Sequence, residues 1–114
     1  MNKILIVENN LDFATILKTM LVKNKFEVIG TAETSDTAIE LATSLKPDLI
    51  ISDFNLEDNT TGIDVANGVN VPIIICSSNA NNIQKTLKMK NVCGFVTKPF
   101  NEDILIKMIR ENLK

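Results

Sequence analysis

The chain has 114 residues, 45% of them hydrophobic and 23% charged, which fits one globular domain over residues 1–114 with a real core and no disulfide or metal staples. Twelve bases against 14 acids give a net charge of −2, so no basic field draws in nucleic acid, and direct nucleic-acid binding is not expected. Histidine is absent and the only cysteines, Cys76 and Cys93, lie 17 apart in apolar runs, which excludes imidazole triads and zinc spacings and points to buried free thiols in a reducing compartment.

Residues 4–7 form a continuous apolar run after Lys3, the pattern of a strand buried on both faces, and Glu8, Asn9 and Asn10 end it. From Leu11 the positions Phe13, Ala14, Ile16, Leu17, Met20 and Leu21 recur at helical spacing, with Asn10 as N-cap. Residues 26–31 predict a second, more polar strand at a sheet edge. Thr34 or Ser35 caps a second helix whose buried stripe is Ala38, Ile39, Leu41, Ala42 and Leu45, and Pro47 stops it. The third strand, residues 49–52, ends at Asp53.

A polar, turn-rich segment follows, and Ile63, Val65, Ala66 and Val69 then allow a third helix of at most about two turns, because Gly68 and Asn70 end it. Pro72 opens a fourth strand over residues 73–76, closed by Ser77 and Ser78. Ala80, Ile83, Leu87 and Met89 predict a loosely packed fourth helix on a thin apolar stripe. Residues 92–97 are the fifth strand. Asn101 caps a last helix with Glu102 and Asp103 in its first turn and Lys107 and Arg110 toward its end, as the helix dipole prefers.

Five strands alternating with five helices predict an α/β fold with a parallel sheet covered on both faces, in which ligands sit beyond the carboxyl ends of the strands. Glu8 and Asn9, Asp53, Ser77 and Lys98 stand at four of those ends. Alone they say little: Asp53 is a turn or cap residue, Ser77 says almost nothing, and Lys98 before Pro99 is a strand stop. Together they gather two carboxylates, an amide, a hydroxyl and an ammonium, and a hard divalent cation would offset the repulsion of the acids.

On the segments Ile4-Leu5-Ile6-Val7-Glu8-Asn9, Pro47-Asp48-Leu49-Ile50-Ile51-Ser52-Asp53, Pro72-Ile73-Ile74-Ile75-Cys76-Ser77 and Gly94-Phe95-Val96-Thr97-Lys98-Pro99-Phe100, the chain resembles the receiver domain of bacterial two-component response regulators. The resemblance implies a flavodoxin-like strand order 2-1-3-4-5. It also implies that Asp53 is a phosphoacceptor for a phosphohistidine on a sensor histidine kinase or histidine phosphotransfer protein, in a signalling module rather than an enzyme. Magnesium would be held by Glu8, Asp53 and the backbone carbonyl of Asn55. Lys98 would pair with Asp53 or the transferred phosphoryl group, and a cis Lys98–Pro99 peptide is expected. Ser77 and Phe95 would be the switch pair, and a downstream protein would read the face of the fourth helix, fifth strand and fifth helix.

Asn9 departs from the resemblance, since the family usually has a metal-ligating aspartate there. The resulting loss of one charge predicts weak magnesium binding. It also keeps open an alternative, a pseudo-receiver that acts as an interaction module without phosphorylation. Glu57 stands where a proline is frequent, and with only 23 residues between Asp53 and Ser77 the third helix is shortened, so that part of the sheet is thinly covered or its neighbours close over it. Charge is uneven: residues 1–64 hold 11 acids and 5 bases, residues 65–114 hold 3 acids and 7 bases, and the acid-free stretch with Lys85, Lys88, Lys90 and Lys98 is either a solvated face or a site for an acidic partner. No apolar run is long enough to cross a membrane and no signal-peptide pattern follows Met1, so a cytoplasmic protein without membrane partners is expected. A homodimer is compatible with the sequence but not demanded by it.

Overall fold

A computed structural model describes residues 2–113. Its elements alternate as β1 (Lys3–Val7), α1 (Leu11–Lys23), β2 (Glu27–Ala32), α2 (Ser35–Leu45), β3 (Leu49–Asp53), α3 (Gly62–Gly68), β4 (Ile73–Ser77), α4 (Ile83–Thr86), β5 (Val92–Thr97) and α5 (Glu102–Glu111). All strand pairs are parallel, and the sheet order is β2-β1-β3-β4-β5, the flavodoxin-like arrangement expected. The connection reverses direction after β1, so the carboxyl ends of β1 and β3 lie side by side there.

The apolar runs alternate between two layers because successive strand side chains face opposite ways. Ile4, Ile6, Leu49, Ile51, Ile74 and Cys76 pack beneath α1 and α5, through Leu17, Leu21, Leu105 and Ile109. Leu5, Val7, Ile50, Ile73 and Ile75 pack beneath α2 and α3, through Ala38, Ala42, Val65 and Ala66. Asn10, Thr34 and Asn101 cap α1, α2 and α5 by accepting from the backbone N–H groups of Phe13, Thr37 and Ile104, as their types predict. Both cysteines are free thiols. Cys76 is buried and Cys93 half-buried, and burial pushes the Cys76 thiol up to about 12.

Three details differ from the sequence reading. In α1 the buried stripe is Ala14, Leu17, Met20 and Leu21, while Ile16 points outward with 62% of its surface exposed. Leu45 at the end of α2 is likewise exposed, and Lys46 caps that helix in the left-handed region with φ 51°. The expected fourth helix is reduced to a 3-10 turn, Ala80–Asn82, followed by the four residues of α4. The physical reason lies in the asparagines: the Asn79 side chain accepts from the Asn81 N–H, offering the backbone an alternative to α-helical bonding. Leu87 of the expected stripe is exposed, and Thr86 is the fully buried residue instead.

The seven residues of α3 match the two turns expected. A reciprocal cap starts the helix, with the Thr61 hydroxyl accepting from the Ile63 N–H and the Asp64 carboxylate accepting from the Thr61 N–H. At its other end the Asn91 side-chain amide, from just before β5, lies 3.0, 3.1 and 3.3 Å from the carbonyl oxygens of Ala66, Val69 and Val71. The neighbours close over the sheet: Ile73 and Ile75 are fully buried, and Ile39 of α2 occupies the space a side chain at Gly68 would take.

Candidate functional site

Glu8, Asp53, Ser77 and Lys98 stand at or just past the ends of β1, β3, β4 and β5, and the parallel sheet brings these ends to one edge. Lys98 donates to Glu8 Oε1 at 2.7 Å and lies 3.4 Å from Asp53 Oδ2. The second Glu8 oxygen accepts from the backbone N–H of Asn10 at 3.1 Å. Asp53 Oδ1 accepts from the N–H of Phe54 at 2.8 Å, which leaves its other oxygen beside the lysine. Glu8 is almost wholly buried, whereas the Asp53 side chain keeps 14% of its surface open to solvent. Of the two acids, Asp53 is the one a reactant in solution can reach.

The electrostatics follow from this packing. Burial and the adjacent Glu8 carboxylate, which comes within hydrogen-bonding reach, push the Asp53 carboxyl up to about 6 against the opposing pull of Lys98. One ammonium therefore serves two acids that repel each other, and a divalent cation would relieve what remains. Among the described residues no cluster of three or more Asp, Glu, His or Cys side chains offers a metal cage. Magnesium takes one or two carboxylate ligands and keeps several waters, so Glu8 and Asp53 would be the acids to hold it, with Asp53 the accessible member. Asn9 is exposed and carries no charge, and Asn55 is exposed at the start of the loop after β3, where it bridges to Thr61.

Ser77 is buried, and three hydrogen bonds saturate its hydroxyl. The Asn79 N–H and the Asn82 side-chain amide both donate to it at 3.1 Å, and it donates to the Asn79 carbonyl at 3.2 Å. Phe95, half-buried on β5, lines a groove with Ile83, Pro99, Phe100, Ile104 and Met108. The Lys98–Pro99 peptide is cis, as expected.

Two participants escape a reading of the strand ends. Phe13, on the first turn of α1, lies with its ring centroid 4.1 Å from Lys98 Nζ and stacks edge-on against Phe100 at 5.5 Å, so an aromatic face lies against the ammonium that the two acids share. Asn82 reaches Ser77 from the turn that replaces helix. The usable signal for Phe13 is its position: a helix that starts at the end of β1 puts its first turn at the same edge as Glu8.

Comparison with known proteins agrees with this arrangement. The family model described as response regulator receiver domain matches residues 4–110. The chemotaxis protein CheY of Bacillus subtilis (strain 168) is 28% identical over 120 residues, covering 98% of both chains. The sensory transduction protein BceR of Halalkalibacterium halodurans is 31% identical over 119 residues, and the alignment takes in all of this chain but 51% of BceR. Among solved structures, the signal receiver domain of a modulated diguanylate cyclase from Desulfovibrio desulfuricans G20 superposes with a TM-score of 0.89 at 26% identity, over 99% of this chain and 94% of that one. With strand order, strand-end residues and family match in agreement, the chain belongs to the response regulator receiver domain family and is a module of two-component signalling.

Proposed function

We propose that this receiver accepts a phosphoryl group on Asp53 from a phosphohistidine of a sensor histidine kinase or phosphotransfer protein. The observation that carries the reading is the position of Asp53, a partly exposed carboxylate with one oxygen fixed by the Phe54 N–H and the other beside Lys98. That free oxygen attacks phosphorus, the phosphorus–nitrogen bond breaks, and the imidazole leaves with its electron pair and takes up a proton. Lys98, braced by Phe13, sets a positive charge beside the oxygens that gain negative charge. Glu8, Asp53 and the Asn55 carbonyl would hold magnesium, which when bound neutralises charge on the transferring group. Asn9 would add only a neutral oxygen, so the ion would bind weakly.

The groove lined by Phe95 lies between α4, β5 and α5, and it is where a downstream protein docks once Ser77 and Phe95 change position. Exposed Ile104 supplies apolar surface there, and Lys85, Lys88 and Lys90 suit an acidic rim on the partner. No helix among the described residues is long and apolar enough to cross a membrane. Labelling with acetyl phosphate tests the assignment. Asp53→Ala abolishes it, and persistent labelling at another residue would refute the role given to Asp53.

A pseudo-receiver that binds partners without phosphorylation is the second reading, favoured by the neutral Asn9 and by a lysine held closer to Glu8 than to Asp53. Beryllofluoride with magnesium separates the two, since it mimics a phosphoryl group. It shifts the amide resonances around Ser77 and Phe95 if Asp53 accepts phosphate and leaves them in place if the site is only structural.

A further inference from the structure

We infer that Asn82 is a latch that holds the Ser77 hydroxyl away from Asp53 and so sets how readily the phosphorylated form is reached, an inference that rests on the phosphoacceptor reading above. A serine hydroxyl has one proton to donate and two lone pairs to accept with. All three are in use: the lone pairs take the Asn79 N–H and the Asn82 amide, each at 3.1 Å, and the proton goes to the Asn79 carbonyl at 3.2 Å. None of these bonds reaches Asp53. To donate to a phosphoryl oxygen on Asp53, the hydroxyl must give up the Asn79 carbonyl, and its oxygen must move off the two donors that hold it.

Of those donors, the Asn79 N–H is backbone and present in any sequence, while the Asn82 amide is a side chain chosen at one position. Asn82 stands where a helix N-cap would sit before α4, yet its side chain makes no capping bond, because it is turned back onto Ser77. The first turn after β4 is correspondingly 3-10, with the Asn82 N–H donating to the Asn79 carbonyl at 3.2 Å, the same oxygen that takes the Ser77 proton. Releasing Ser77 therefore frees the Asn82 amide and relieves a shared acceptor in the loop that leads into α4, which gives a route from the hydroxyl to the groove lined by Ile83 and Phe95. Asn82 is a positioning residue. It acts through Ser77 and touches none of the reacting atoms.

Titration of wild type, Asn82→Ala, Ser77→Ala and the double variant with beryllofluoride and magnesium, followed by amide NMR, tests this. Loss of one side-chain hydrogen bond to the unphosphorylated form tightens binding of the mimic by about three- to tenfold in Asn82→Ala. In the Ser77→Ala background the same substitution changes affinity less than twofold, which a merely structural effect on the loop would not produce. Unchanged or weaker binding by Asn82→Ala, with a wild type that does respond, overturns the latch alone. Equal tightening in both backgrounds also overturns it, and a wild type that ignores beryllofluoride overturns the phosphoacceptor reading and the latch with it.

Discussion

Lys98 is bound more closely to Glu8 than to Asp53, at 2.7 Å against 3.4 Å, and the glutamate it serves is buried while the aspartate is not. The lysine is thus the counter-ion of a buried acid first and a partner of the more exposed acid second. Removing it with Lys98→Met strands the Glu8 charge in the interior and is expected to lower stability by about 3 kcal/mol at pH 7, read as a fall in the urea midpoint. Adding Glu8→Gln to that variant restores more than half of the loss. A midpoint unmoved by Lys98→Met would show that the ion pair holds nothing together.

The Asp53 carboxyl, raised from 3.8 to about 6, makes stability depend on pH with a definite sign. The native chain holds this proton more tightly than the unfolded chain, so the contribution is fully present below pH 3.8 and is lost as pH rises through about 6. Asp53→Asn keeps the neutral state at every pH. It is expected to be more stable than wild type by roughly 1–2 kcal/mol at pH 7.5, after allowance for partial exposure, with the difference vanishing near pH 4. Thermal melts of both proteins across that range check it, and a difference that grows toward low pH would contradict the assignment.

Strand positions and the residues at their ends were legible because runs such as Ile73, Ile74 and Ile75 are apolar on both faces and stop abruptly at polar groups. Caps were legible too, since Asn10, Thr34 and Asn101 each precede a helical stripe. The fourth helix was not, because its apolar spacing is real while the asparagines around it hydrogen-bond locally and turn Asn82 toward Ser77. Phe13 shows the opposite limit. Its spacing marks it as helix interior, which is half the truth, and only the placement of β5 beyond β4 brings Lys98 to its ring.

In the proposed metal site Asn9 contributes no charge, and restoring the acid with Asn9→Asp is expected to tighten magnesium binding about tenfold and to speed labelling by acetyl phosphate. Wild type is expected to bind only at millimolar concentration or above. The chain has neither Trp nor Tyr, so amide shifts rather than intrinsic fluorescence follow the titration. Sub-millimolar binding by wild type, or no response to Asn9→Asp, would remove position 9 from the site.

Gly62 lets α3 start against the end of β3. A Cβ there would meet Ile75 Cδ1 at 2.5 Å and the Asp53 carbonyl oxygen at 3.0 Å, and one of these obstacles is backbone. Gly62→Ala is therefore expected to cost about 1–3 kcal/mol and to slow phosphorylation of Asp53 beyond what the stability loss explains, by shifting the loop that carries Asn55. Denaturant titration and initial labelling rates, measured well below the unfolding midpoint, separate the two effects. A variant with wild-type rates would show that the loop tolerates displacement.

The Asn91 amide, spread over the carbonyls of Ala66 in the last turn of α3, Val69 at its C-cap and Val71 just beyond, ties down the end of a two-turn helix, since so short a segment leaves most of its C=O groups without partners inside itself. Its own carbonyl meanwhile accepts from the Ile73 N–H at 2.8 Å, fastening the entrance of β4 as well. Through this one residue, economy of length in the middle of the chain becomes a dependency on a stretch more than twenty positions later. The abbreviated helix and the approach to β5 stand or fray as one cooperative unit.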